Sequence, residues 1–225
     1  MGELVEFASN GGQASGYLAR PDGGGPGVVV IQEWWGLVPH IEDVCDRVAA
    51  AGFVALAPDL YHGAPTTEPD EAGKKMMALS IEQAAQDLSG AVDKVAEVSG
   101  RDAVGVIGFC MGGGLALYLG TTRPDRVRAV IPFYGVIPWP AAQPDFSLLS
   151  GAVQGHYAEH DDFSPPATVR ELERTIRDLG RPAEMFIYPG TQHAFFNDTR
   201  PEVHDPDASR LAWNRAMAFL HAELG

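Results

Sequence analysis

Short apolar runs alternate with longer stretches of helical periodicity along this chain. The apolar run Val28–Ile31 follows a turn rich in glycine and proline, which is typical of a buried strand. Ile41, Val44 and Val48 then recur at helical spacing, and Gly52 marks the end of that helix. The same alternation of strand and helix continues to the C-terminus.

The pattern predicts the following elements. The strands are Leu4–Phe7 and Ser15–Ala19, as an antiparallel pair, then Val28–Ile31, Phe53–Ala57, Ala103–Phe109, Val127–Phe133, Ala152–Tyr157 and Ala183–Tyr188. The helices are the one around Ile41–Val48 and those at 71–78, 81–98, Met111–Leu119, Pro166–Leu179 and Asp207–Leu224. The segment from Tyr61 to about Gly73 is polar and contains glycine and proline, so we expect a surface loop there.

This alternation is typical of an α/β fold. Strands that are apolar throughout are buried on both faces of a sheet. We therefore expect a mostly parallel sheet of about seven or eight strands with helices on both faces. No repeat, low-complexity tract or linker divides residues 1–225, so a single domain is expected.

Composition and charge exclude several classes of protein. The 225 residues contain 16 Lys and Arg against 30 Asp and Glu, a formal net charge of −14. Such an acidic chain is not expected to bind nucleic acid or anionic lipid, because proteins bind these through basic patches. No signal-peptide pattern and no apolar run long enough for a membrane span is visible, so we expect a cytoplasmic protein without membrane partners. The oligomeric state stays open between a monomer and a small homo-oligomer.

The segment Gly108–Gly112 carries the strongest chemical signal. A strand ends there, and a Gly-x-Cys-x-Gly turn leads into a helix, which is the nucleophile-elbow pattern with Cys110 in place of serine. A helix N-terminus favours a thiolate and a developing oxyanion. The alternative is a packing cysteine or a phosphate loop, but residues 111–115 lack the Lys or Ser/Thr of such loops. Cys45 lies on the apolar stripe of the first helix and is expected to be a core residue.

A nucleophilic cysteine needs a base and an acid that orients the base. In folds with this elbow the acid and then the histidine follow the nucleophile, each after a strand. His193 follows the last predicted strand and is the expected base, with His204 as its competitor. Asp161 is the preferred acid, ahead of Asp162 and Glu159.

Glu33 is a carboxylate placed directly after the buried run Val28–Ile31, where a charge is costly unless it has partners or a function. Its loop supplies an oxyanion amide in this fold class. The alternative is a glutamate that is only hydrogen-bonded into the loop. His156, His160 and Asp161 also invite a metal site, but their spacing is not that of a helical ligand pair and no cysteine cluster accompanies them, so we expect no metal.

The chain resembles the dienelactone hydrolase family of the α/β-hydrolase superfamily over essentially its whole length. The motifs that carry the resemblance are Gln32-Glu33 with Gly36, Pro58-Asp59-Leu60-Tyr61, Gly108-Phe109-Cys110-Met111-Gly112-Gly113, Asp161 with Phe163 and Pro165, and Tyr188-Pro189-Gly190 with His193-Ala194-Phe195. The resemblance implies an α/β-hydrolase fold. It also implies hydrolysis of a small-molecule ester or enol-lactone through a thioester acyl-enzyme, without a cofactor.

The resemblance further implies a role for particular residues. Cys110, His193 and Asp161 match the catalytic triad, in which His193 also activates the water that releases the acid. Glu33 matches the carboxylate that helps to deprotonate the thiol when substrate binds. The backbone amides of Trp34 and Met111 match the oxyanion hole.

The sequence departs from the family where a substrate carboxylate is bound. Members that open dienelactone hold this carboxylate with two arginines. Residues 70–85 contain Lys74 and Lys75 but no arginine, and Asn197 stands four residues after His193, with Arg200 the nearest arginine. An uncharged ester is therefore favoured over an anionic lactone, as the acidic composition also suggests.

Aromatic residues near these motifs predict the substrate pocket. Trp35, Tyr134 and Phe195 are expected to line it, although core packing would also explain most such residues. Other functions stay open from sequence alone. The protein could be a non-catalytic, ligand-binding member of the fold, or a carboxylesterase or thioesterase that is not specific for dienelactone. A third alternative is redox chemistry at Cys110, but this cysteine lacks the partner of a Cys-x-x-Cys motif.

Overall fold

A sheet of eight strands runs through the part of the chain described by the computed structural model, residues 2–9, 11–63 and 65–225. The strands are β1 (Glu3–Ser9), β2 (Gly12–Ala19), β3 (Gly27–Ile31), β4 (Val54–Pro58), β5 (Val104–Phe109), β6 (Val127–Phe133), β7 (Ala152–His160) and β8 (Ala183–Gln192). The helices are α1 (Pro39–Ala50), α2 (Pro69–Ala78), α3 (Ile81–Ser99), α4 (Met111–Thr122), α5 (Pro166–Asp178) and α6 (Pro206–Leu224). Two short 3-10 turns, Pro140–Ala142 and Phe146–Leu148, lie between β6 and β7 and were not predicted.

The strands follow one another across the sheet in the order β1-β2-β4-β3-β5-β6-β7-β8. Neighbours from β4 to β8 pair in parallel, while β1 and β2 pair antiparallel at one edge. The predicted α/β fold with a mostly parallel sheet is confirmed. Because the carboxyl ends of parallel strands meet at one edge, the loops after β3, β5, β6, β7 and β8 lie together there.

The ends of β7 and β8 differ most from prediction. The sequence predicts ends at Tyr157 and Tyr188, but the strands continue to His160 and Gln192. These last residues pair with each other after a local shift in register. The pairing joins segments that are distant in sequence, so no local pattern encodes it. It places Asp161 directly after the end of a strand.

The apolar core lies on both faces of the sheet, as alternation along each buried strand requires. In β3, Val28 and Val30 pack with α1 and α6, whereas Val29 and Ile31 pack on the opposite face with α3 and α4. Helices therefore cover both faces, as predicted. Cys45 is fully buried in the α1 layer, where burial raises the pKa of its thiol well above the usual value.

Surface segments add two details. The predicted polar loop ends earlier than expected, because α2 begins at Pro69, and residue 64 within that loop lies outside the described residues.

Within the described ranges, no helix has both the length and the apolar character that crossing a membrane requires.

Candidate active site

Cys110 occupies a strained turn between β5 and α4. Its backbone has φ 53° and ψ −121°, a conformation that residues with a side chain rarely adopt. A Cβ on Gly108 would overlap the carbonyl oxygen of Gly112, and one on Gly112 would overlap the backbone of Ile31. Glycine at both positions therefore lets the turn close, and the turn presents a partly exposed thiol at the start of a helix.

His193 and Asp161 meet across the loops that follow β8 and β7. Nδ1 of His193 lies 2.7 Å from Oδ2 of Asp161. The other Asp161 contacts are with Ser164, whose hydroxyl donates to Oδ2 at 2.7 Å, and with the backbone amide of Phe163, which donates to Oδ1 at 2.9 Å. Asp161 is 5% exposed, so the carboxylate is held almost without solvent and fixes the orientation of the imidazole.

The competing acids and the competing histidine have other contacts or positions. Glu159 is exposed and accepts a hydrogen bond from the amide of Gly190 at 2.9 Å. Asp162 lines the cavity described below, but Asp161 is the carboxylate that contacts the His193 ring. The amide of His204 donates to the Arg200 carbonyl at 3.0 Å, and His204 does not line that cavity.

The three residues that invited a metal site point to different partners. His156 is buried, with Nδ1 2.8 Å from the Tyr188 hydroxyl, and burial lowers its pKa to about 3. His160 is exposed beside Glu159. Asp161 holds His193. Within residues 2–9, 11–63 and 65–225, no group of three or more His, Cys, Asp or Glu is placed to hold a metal ion.

Two acidic neighbours set the charge of His193. Burial lowers its pKa, but hydrogen bonds to Asp161 and Cys110, with the charges of both groups, outweigh burial and raise the pKa to about 10. Since Nδ1 faces Asp161, Nε2 is the ring nitrogen on the side of Cys110. Burial raises the pKa of Asp161, but its hydrogen bonds and the charge of His193 bring it below the usual value. The raised pKa favours the imidazolium form of His193 beside the Asp161 carboxylate.

Glu33 is held by two neutral donors. The Tyr134 hydroxyl donates to Oε1 at 3.2 Å, and Nδ2 of Asn197 donates to Oε2 at 2.8 Å. Glu33 is 1% exposed. The burial of Tyr134, together with the neighbouring Glu33 carboxylate, raises the pKa of this phenol well above its usual value. The backbone amide and hydroxyl of Thr199 donate to Oδ1 of Asn197, so the amide group of Asn197 must point its Nδ2 at Glu33.

Asn197 is a partner that the sequence did not predict for Glu33. In the sequence, Asn197 only stands at the position where the resemblance leads us to expect an arginine. The two residues are 164 positions apart, and no local signal links them. Tyr134 has φ 38° directly after β6, a strained backbone that keeps its hydroxyl at Glu33.

The amides expected to form an oxyanion hole lie in the loop after β3 and at the start of α4. Within the described chain, the amide N–H groups of Trp34 and Met111 donate to no protein acceptor. The Tyr61 hydroxyl lies 2.9 Å from the Trp34 carbonyl oxygen and 3.5 Å from Sδ of Met111. One side chain thus ties both segments together, and this contact also was not predicted.

These groups surround a cavity of about 340 Å³. Its lining consists of Glu33, Trp34, Trp35, Met76, Cys110, Val136, His160, Asp162, Phe163, Gln192, His193, Ala194, Arg200 and Val203. Of the aromatic residues predicted to line the substrate pocket, Trp35 does so. Tyr134 and Phe195 do not, because each ring is fully buried in the core beneath the cavity. Lys74 and Lys75 also lie outside the lining.

The whole chain matches proteins of one family. Residues 14–224 match the model of the dienelactone hydrolase family. The protein usf of Aquifex pyrophilus is 37% identical over 228 residues, covering 98% of each chain. The chain belongs to the dienelactone hydrolase family. A relative in Aquifex aeolicus, provisionally named carboxymethylenebutenolidase, is 35% identical over 232 residues, covering 100% of each chain.

A solved structure agrees with this membership. A protein of Klebsiella pneumoniae, provisionally described as a dienelactone hydrolase, superposes with a TM-score of 0.87 at 28% identity, covering 98% of this chain and 99% of that one. The α/β-hydrolase fold implied by the sequence is therefore confirmed, as is the family. Membership makes the protein a hydrolase whose substrate class is a small-molecule ester or lactone.

Proposed function

We propose that this protein hydrolyses uncharged carboxylic esters through a thioester acyl-enzyme formed on Cys110. One observation supports the proposal most: His193 contacts Asp161 through Nδ1 and lines the same cavity as Cys110. The thiol lies at a helix N-terminus beside a histidine whose pKa is raised to about 10. The thiolate is the nucleophilic form of cysteine.

The reaction proceeds in two halves. The Cys110 thiolate attacks the carbonyl carbon, and the amides of Trp34 and Met111 donate to the resulting oxyanion. The C–O bond to the alcohol then breaks, Nε2 of the His193 imidazolium gives its proton to the departing oxygen, and a thioester remains. Neutral His193 next removes a proton from water, the hydroxide attacks the thioester, and the acid and the Cys110 thiolate are released.

Glu33 is proposed to help remove the thiol proton when substrate binds. Its two partners, Tyr134 and Asn197, are neutral donors. They hold the carboxylate in place through hydrogen bonds. Glu33 lines the same cavity as Cys110 and is therefore within the site that a substrate fills.

The charges around the cavity favour an uncharged substrate. Glu33 and Asp162 are among the lining residues, and Arg200 is the one Lys or Arg in the lining of the described cavity. Nε and Nη2 of Arg200 both lie 2.9 Å from Oε1 of Glu202, which balances its charge. With a formal net charge of −14 over the chain, an anionic ester would also meet repulsion at long range.

Cys110→Ala tests the proposal. We expect turnover of an activated aryl ester by the purified variant to fall by roughly a thousandfold or more, as loss of a nucleophile does in related triads. Cys45→Ala is the matched control, since this thiol is buried away from the cavity and should leave turnover near wild type. Wild-type turnover by Cys110→Ala would sink the proposal. If neither wild type nor variant turned over any ester, while a ligand stabilised both, a binding function would replace it.

A further inference from the structure

Phe163 is a large aromatic side chain left open to solvent at the mouth of the cavity. It is 71% exposed and belongs to the cavity lining. Its backbone amide donates to Asp161, which fixes where the residue sits. Its ring centroid lies 5.2 Å from that of His193, at an interplanar angle of 59°. The exposed Leu148, in contrast, does not line the cavity.

We propose that Phe163 forms the subsite for the alcohol half of the ester, and that this half is an aryl or similarly flat apolar group. The inference rests on the proposed ester hydrolysis and adds the class of leaving group to it. Its basis is that the solvent-exposed ring of Phe163 lies next to the imidazole of His193, which lines the same cavity as Cys110.

The chemistry of the first half-reaction fixes which half of the ester lies there. When the C–O bond breaks, the electron pair goes to the alcohol oxygen, and Nε2 of His193 supplies the proton that neutralises it. The alcohol oxygen must therefore lie within hydrogen-bond reach of Nε2, and its substituent must lie beside the imidazole. The acyl group, bonded to the carbonyl carbon that Cys110 attacks, extends away from His193.

The two sides of the imidazole offer different space. The Tyr134 ring lies 5.0 Å from that of His193, but Tyr134 is fully buried and its hydroxyl is bound to Glu33. Phe163 lies on the open side. An aromatic group placed there would cover the Phe163 ring and gain an offset or edge contact of favourable geometry. A small alkyl alcohol would leave the ring in water.

Matched esters of acetic acid test the inference. Phenyl acetate is compared with an acetate of a fluorinated alkyl alcohol of similar acidity, so that both form the same acyl-enzyme and differ only in the leaving group. The ratio of kcat/KM for phenyl acetate to kcat/KM for the fluoroalkyl acetate reports the first half-reaction, because release of the shared acetyl group is common to both.

In Phe163→Ala we expect this ratio to fall roughly three- to tenfold, the size of one aromatic contact. Phe163→Trp, which keeps an aromatic face, should retain it.

Leu148→Ala is the control, because Leu148 is exposed but lies outside the cavity lining. Thermal unfolding of each variant checks that the fold is kept, as expected for an exposed ring. An unchanged ratio in Phe163→Ala, with wild-type ester turnover intact, would overturn the subsite and leave the ester hydrolysis standing. Absence of turnover of both acetates by the wild type would overturn both.

Discussion

At the scale of single residues, the chemistry depends on neighbours that are far apart in sequence. Asp161 sets the orientation of His193, and Asn197 sets that of Glu33. The sequence pattern could predict that His193 and Asp161 lie together, because each follows a strand at the edge where the loops meet. It could not identify Asn197 as a partner of Glu33, since that contact exists only once β3 and the loop after β8 are side by side.

The raised pKa of His193 makes a prediction about stability. A group whose pKa rises from 6.5 to about 10 on folding stabilises the folded state fully below about pH 6.5, and this contribution is lost as the pH rises toward 10. The free energy of unfolding of wild type minus that of His193→Gln should therefore be largest below about pH 6.5 and decline above it. Chemical denaturation at a series of pH values measures this difference. A difference that grew with pH would contradict the assignment of charge.

Single residues also show where sequence-based prediction failed. Trp35 lines the cavity, but the rings of Tyr134 and Phe195 are buried in the core, although Tyr134 directly follows β6 and Phe195 stands two residues after His193. The direction of a side chain in a strained loop depends on backbone angles that a sequence pattern does not encode. Phe163, which does line the cavity, was part of a motif but carried no periodic signal.

At the scale of secondary-structure elements, most of the fold followed from the pattern. Strands with continuous apolar runs, such as β3 and β5, were predicted nearly to the residue because burial on both faces dictates their composition. The extensions of β7 and β8 and the two 3-10 turns were not predicted. These segments contain polar residues whose structure depends on strand pairing or turn hydrogen bonds, so they carry no apolar pattern in the sequence.

The close approach of α4 to β3 gives a prediction at this scale. A Cβ on Gly112 would overlap the carbonyl oxygens of Ile31 and Gln32, so Gly112→Ala must push the helix start away from the sheet. We expect the free energy of unfolding to fall by about 2 kcal/mol or more, as for other overpacked sites. Urea denaturation of purified protein measures it. Gly23→Ala is the control, because a Cβ there meets nothing within 4 Å and the residue is exposed.

At the scale of the whole molecule, the net charge of −14 acts on any charged substrate before it reaches the cavity. Raising the ionic strength from about 0.01 M to about 0.15 M shortens the screening length from roughly 30 Å to roughly 8 Å. We expect kcat/KM for an ester bearing a carboxylate to rise with salt over this range, while that for its uncharged analogue stays level. Steady-state kinetics with the two esters measures both. A fall with salt for the anionic ester would mean that a local cation, such as Arg200, attracts it.

The central claim is that Cys110 carries the acyl group during turnover. Rapid acid quenching of wild type with an aryl acetate, followed by mass spectrometry of the digested protein, tests this most directly. The account predicts an acetyl group on the peptide that contains Cys110, removed by hydroxylamine as a thioester is and missing in Cys110→Ala. Acetylation of a different residue of the wild type during turnover, or undiminished turnover by Cys110→Ala, would contradict it.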